Sequence, residues 1–219
     1  MADKEGQSGM EIDLRVLELA ASKICHDLIS PIGAVNNGLE LMEDEQDHAL
    51  QAEALALAQR SARRASILLQ LYRSLFGNAG NQASFGPQEA VQMAFDSLQG
   101  GKVALESDLA GAGSVLPEGY GKLVLAAVMV AADTLPRGGT VLLRLLPGQS
   151  APSLLLTSSG AQIAAQDDVL QALHLRSQVE DISAHTVLPY FTALVAHRMG
   201  LTCRAENVQI GQFTLSISA

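Results

Sequence analysis

Between residues 14 and 42, apolar side chains recur as Leu14, Leu17, Ala21, Ile24, Leu28, Ile32, Val35, Leu39 and Met42. Apart from one extra residue, the steps alternate between three and four. This is the stripe of a helix packed in a bundle or coiled coil. A second run, Leu50, Ala54, Leu57, Ser61, Ala65, Leu68, Tyr72 and Leu75, repeats the pattern. Pro31 is the only proline between residues 10 and 76, and the extra residue falls beside it, so a kink is expected there. Asp13 is placed to cap the first helix, and the acidic segment 43–47 disfavours a helix C-terminus and predicts a turn. Two helices of roughly 30 residues joined in this way make an antiparallel hairpin. A lone hairpin cannot bury both stripes. Two hairpins packed as a dimeric four-helix bundle can, and the alternative is that the rest of the chain covers the seam.

The segment GNAGNQASFGP at 77–87 breaks the helical texture and reads as a boundary. Beyond it, helices are expected over 87–99, 120–135, 167–175 and 187–199, with strands over 102–106, 140–146, 153–158, 201–206 and 212–218. The predicted fold is therefore α+β. A helical hairpin domain (10–78) precedes an α/β two-layer sandwich (84–219).

The formal net charge of −9 disfavours nucleic acid and anionic membrane surfaces as partners. The N-terminal MADKEGQSGMEID has no apolar core of a signal peptide, and the longest apolar stretch, 123–132, is too short to cross a bilayer. A cytoplasmic protein is expected. Cys25 and Cys203 match no metal-binding spacing; two free thiols suit that compartment, and a single disulfide stays open.

The chemistry-bearing segment is His26-Asp27-Leu28-Ile29-Ser30-Pro31. At about 100° per residue, His26 lies roughly 200° from Ile24 and Leu28, so its imidazole points away from the stripe. An imidazole nitrogen attacks phosphorus best when the other nitrogen donates to a carboxylate, and Asp27 is adjacent.

With these residues in place, the hairpin resembles the dimerisation and histidine-phosphotransfer domain of sensor histidine kinases. Their motif reads His, acidic residue, a short variable segment, Pro. The resemblance implies that His26 is the phosphoacceptor and Asp27 its orienting acid. Ser30 stands where that family carries a Thr or Asn needed for phosphatase activity. Residues 84–219 resemble the kinases' ATP-binding domain in degenerate form. Val130 and Ala126 replace its metal-chelating asparagines, Ser158 replaces the adenine-recognising Asp, Gln162 replaces a motif glycine, and 182–189 lacks the glycines of the lid. ATP is not an expected ligand. The whole chain is similar to ChpT-type histidine phosphotransferases, which implies receiver domains of a hybrid histidine kinase and of cell-cycle response regulators as partners. It also implies no cofactor of its own, Mg²⁺ being supplied by the receiver.

In that family a receiver docks beside the phosphoacceptor helix, which points here to Ile29, Ser30, Gly33, Asn36 and Asn37. Gly33 either permits close approach or relieves packing near Pro31. Arg60, Arg63 and Arg64 form the densest basic cluster, which either steers an acidic receiver or is a solvated face. His48, His174, His185 and His197 read as surface or packing residues. Two other function classes stay open: a scaffold that binds receivers without transfer, and a kinase with unusual motifs.

Overall fold

The computed structural model describes residues 13–44, 47–111, 116–148 and 151–219. Helices α1 (Leu14–Asp44) and α2 (His48–Leu75) form the hairpin. Then follow a 3₁₀ turn (Asn78–Asn81), α3 (Pro87–Leu98), β1 (Val103–Asp108), α4 (Tyr120–Asp133), β2 (Gly139–Leu146) and β3 (Ser153–Ser159). Helix α5 (Asp167–Leu173), a 3₁₀ turn (Val179–Asp181), α6 (Val187–Arg198), β4 (Thr202–Gln209) and β5 (Gln212–Ser218) complete the chain. The sheet order is β1-β2-β3-β5-β4; β1 and β2 run parallel and the other pairs antiparallel. Alternate residues of β2, β3 and β5 are buried, so one face of the sheet is covered by helices. That is the expected α+β, two-layer architecture.

Local chemistry accounts for the element ends. The Asp13 carboxylate accepts the Arg15 amide at 2.8 Å, and Asp47 accepts the Ala49 amide at 2.7 Å, so each hairpin helix starts on an Asp cap. Pro87 opens α3, with Glu89 accepting from the Gly86 amide at 3.1 Å. At the α4–β2 turn, Gly138 and Gly139 take φ of +93° and +150°, and a Cβ on Gly139 would lie 2.2 Å from the Ser159 carbonyl oxygen. The expected acidic turn falls partly on Glu45 and Gln46, outside the described residues. Helix α1 continues through Pro31 without a break.

The hairpin alone leaves much of the α1 stripe uncovered, as expected of a single hairpin, while Ile24 and Leu28 pack against the cluster that holds the α2 residues Leu68, Leu71, Tyr72 and Leu75. Leu14, Leu17, Ile32 and Leu39 remain exposed, and Ile24, Leu28, Val35 and Met42 are half-buried. The face turned to α2 and the α/β layer carries Val16, Ala20, Asp27 and Gly38, roughly 90° around the helix from the stripe. A Cβ on Gly38 would meet the Ala54 carbonyl oxygen at 2.9 Å and Ala58 Cβ at 3.0 Å, so small residues set a close helix approach. Replacing Gly38 with Leu should force the helices apart and lower unfolding free energy by about 1–3 kcal/mol, read from urea titration.

The two regions share one core. Leu68, Leu71, Tyr72 and Leu75 of α2 pack in the same cluster as α4 and the sheet. A smaller cluster joins Val16 and Ala20 of α1 to Ile182 and Val187, and Arg15 donates to the Ile182 carbonyl at 3.1 Å. The hairpin is thereby braced at the end that carries His26.

Candidate functional site

His26 sits on α1 with its side chain 87% exposed, roughly 200° around the helix from Ile24 and Leu28. Asp27, one residue on, turns about 100° around the helix and faces α2. Its Oδ1 lies 3.0 Å from His26 Nδ1. Its Oδ2 accepts the Tyr72 hydroxyl and sits 3.5 Å from Lys23 Nζ, one helical turn back. A carboxylate only accepts, so the contact assigns the proton to Nδ1 and leaves the Nε2 lone pair toward solvent.

The electrostatics maintain that arrangement. Burial pushes the Asp27 carboxyl upward, but hydrogen bonds from His26 and Tyr72 and the Lys23 ammonium outweigh it, and the group titrates below its ordinary 3.8. Asp27 is therefore anionic at neutral pH. Because the native value is the lower one, its links to Tyr72 and Lys23 are retained above 3.8 and lost as pH falls further. Tyr72 stays protonated, since burial and then the adjoining carboxylate raise the phenol above its ordinary 10.0. Its ring stacks on Phe76 (centroids 5.9 Å, planes 11° apart), and Phe76 meets Phe191 of α6 edge-on at 5.0 Å.

An open groove of about 620 Å³ runs beside the imidazole, lined among others by His26, Asp27, Ser30, Arg60, Ser61 and Arg64. Five of the residues picked out in the sequence thus meet in one place. Arg63 is exposed outside this groove, and Ile29, Asn36 and Asn37 are exposed along α1. A Cβ on Gly33 would touch nothing within 4 Å outside its own helix backbone, which leaves room for close approach. Arg64 is partly committed elsewhere: its guanidinium donates to the Ser97 carbonyl at the end of α3.

Two site residues were not picked out in the sequence. Lys23 was legible, because an i,i+4 Lys–Asp pair shares a helix face. Tyr72 carried no signal, since periodicity counted it as one more apolar stripe position.

Ala126 and Val130, expected in place of metal-chelating asparagines, are buried in the core. Ser158, also buried, donates to the Ala131 carbonyl at 2.9 Å. Ile182 and Val187, within the glycine-free segment 182–189, are buried with Val16 and Ala20 of α1. His174 Nε2 accepts the Ala205 amide at 3.1 Å, a packing role, and burial, aided by Arg176, holds its pKa below 6.5. His185 and His197 are exposed, and His48 lies 3.3 Å from Gln51 Oε1. Both cysteines are free, Cys25 exposed and Cys203 buried, and burial raises the Cys203 thiol to about 12. Among the described residues there is no cluster of three metal-ligating side chains and no helix long and apolar enough to cross a membrane.

Comparison with known proteins bears on this geometry. Residues 87–209 match the family described as histidine phosphotransferase C-terminal domain. The protein phosphotransferase ChpT of Brucella abortus (strain 2308) is 35% identical over 196 residues, spanning 88% of this chain and 91% of that protein. A solved structure of a bacterial phosphotransferase superposes with a TM-score of 0.79 at 32% identity, covering 96% of this chain and 98% of the other. With the match across residues 87–209 and 35% identity to ChpT along most of both chains, the chain belongs to the histidine phosphotransferase family.

Proposed function

We propose that the chain carries a phosphoryl group on Nε2 of His26, relaying it between receiver-domain aspartates in a bacterial two-component phosphorelay. The observation that carries this reading is the pairing of an 87% exposed imidazole with a carboxylate 3.0 Å from its Nδ1, leaving Nε2 free. In the forward step the Nε2 lone pair forms the N–P bond. The acyl P–O bond of the receiver's aspartyl phosphate breaks, and its electron pair returns to that aspartate. The imidazolium so formed keeps its Nδ1 proton and is stabilised by anionic Asp27. No proton has to leave, which makes the step readily reversible.

Mg²⁺ and the phosphate-binding lysine belong to the receiver, so this chain supplies a positioned nucleophile and a docking face. Ile29, Ser30, Gly33, Asn36 and Asn37 form the face beside His26. Arg60 and Arg64, with Arg63 nearby, offer positive charge to the phosphoryl group and to an acidic receiver. The donor is a receiver on a hybrid histidine kinase and the acceptors are cell-cycle response regulators, all in the cytoplasm. The filled interior at Ala126, Val130 and Ser158 supports a protein, rather than ATP, as phosphoryl donor. Labelled ATP alone should leave His26 unlabelled. Mixing the protein with phosphorylated receivers should place acid-labile, base-stable label on His26, and failure with every receiver of the relay would overturn the reading.

The exposed α1 stripe supports a homodimer, in which two hairpins form a four-helix bundle and His26 stays outside. Ile32 (49% exposed) and Leu39 (47% exposed) lie on that stripe. Changing both to Glu removes about 3–6 kcal/mol of apolar burial, since each side chain is already half buried in the single chain and each change occurs twice in a twofold interface. Light scattering should then report the single-chain mass of 23.0 kDa in place of twice that value.

A further inference from the structure

We propose that Tyr72 is a positioning residue for phosphoryl transfer, through which the α/β domain holds the Asp27 carboxylate against His26. This rests on the phosphoacceptor reading of His26.

Asp27 and His26 are neighbours on a helix, and their side chains leave it about 100° apart. An unrestrained carboxylate would spend little time aimed at the adjacent ring, because both side chains rotate freely toward water. In this chain one carboxylate oxygen is occupied from behind. The buried Tyr72 hydroxyl donates to Oδ2, and Lys23 Nζ lies 3.5 Å from the same atom. With Oδ2 anchored, Oδ1 is left at 3.0 Å from His26 Nδ1.

Tyr72 has little freedom to leave. Its ring is 6% exposed and stacked on Phe76, and Phe76 is met by the edge of Phe191 from α6. Phe191, Phe76, Tyr72, Asp27 and His26 therefore form a contiguous chain from the α/β layer to the nucleophile. A domain whose interior is filled where a nucleotide would sit thereby gains a task at the hairpin. Tyr72 touches neither phosphorus nor receiver; it acts through Asp27, by keeping the Nδ1–H tautomer and the ring orientation that exposes Nε2.

Tyr72→Phe keeps the ring and its stacking and removes only the donor. Nitrogen-15 NMR of the unphosphorylated protein should show mainly the Nδ1–H tautomer of His26 in the wild type and a shift toward Nε2–H in the variant. Carbon-13 NMR should show the Asp27 pKa rising, since a hydrogen bond to its anion is lost. Single-turnover transfer from a phosphorylated receiver should slow by roughly tenfold. In an Asp27→Asn background the same change should have no further effect on transfer. Should Tyr72→Phe not fold, Phe191→Leu tests the same chain from its far end, with a smaller tautomer shift of the same direction expected. Unchanged tautomer and Asp27 pKa in whichever variant folds would overturn the proposal. The NMR readings need no phosphoryl donor. A wild type that accepts phosphate from no receiver but shows these shifts would reject the relay reading and keep the Tyr72 link.

Discussion

Replacing His26 with Ala should abolish phosphoryl throughput while leaving receiver binding within about twofold. The imidazole is almost wholly exposed and, among the described residues, its polar partner is Asp27, so its removal opens no cavity and leaves no buried group unsatisfied. The neighbouring Asp27 keeps Tyr72 and Lys23 as partners, so the fold and the docking face persist. No other histidine can substitute. His174 is engaged with the Ala205 amide, while His48, His185 and His197 lie outside the groove that His26 shares with Arg60 and Arg64. Labelled receivers and calorimetric binding together separate two function classes. A non-catalytic scaffold would behave as wild type in every assay, whereas a relay loses transfer alone.

The second large effect belongs to Asp27→Asn. The substitution is nearly isosteric, yet it removes the charge that balances the phosphoimidazolium. It also lets the side chain present either an acceptor or a donor to Nδ1, which weakens the tautomer preference. Single-turnover transfer should fall by roughly 10²–10⁴-fold, the scale expected when a nucleophile's imidazole loses its orienting anion. Receiver affinity should change little, because the carboxylate is turned toward α2. Asp27 titrates below 3.8, so any slowing of the wild type under mild acid reports a different group.

Much of the fold was legible because its signals are local. Pro87 with Glu89 two residues on marks the start of α3, and strand β5 occupies the expected 212–218. The existence and length of both hairpin helices followed from the spacing of their apolar residues. Which face packs did not. Gly38, Ala54 and Ala58 join the helices through closeness rather than hydrophobic bulk, a contact face that the spacing of Leu and Ile does not mark. At the site, His26, Asp27 and Pro31 stand within six residues and could be read as a unit. Tyr72 is 45 positions away, and nothing local distinguishes a ring that only packs from one whose hydroxyl meets a carboxylate. The long-range brace at Ile182 and Val187 was hidden for the same reason.

That brace has a consequence for how the protein is made. The Arg15 guanidinium and the Ile182 carbonyl are separated by 167 positions, and the buried partners of Val16 and Ala20 in their cluster are Ile182 and Val187. During synthesis α1 and α2 emerge early, with Leu68, Leu71 and Leu75 still lacking the α4 and sheet residues that cover them. The hairpin must wait, partly bare, for the last third of the chain before its His26 end is closed. A ribosome that stalls or terminates soon after the linker releases a sticky helix pair rather than a small working domain. The packing that braces the His26 end is therefore completed late, when the segment around Ile182 and Val187 arrives.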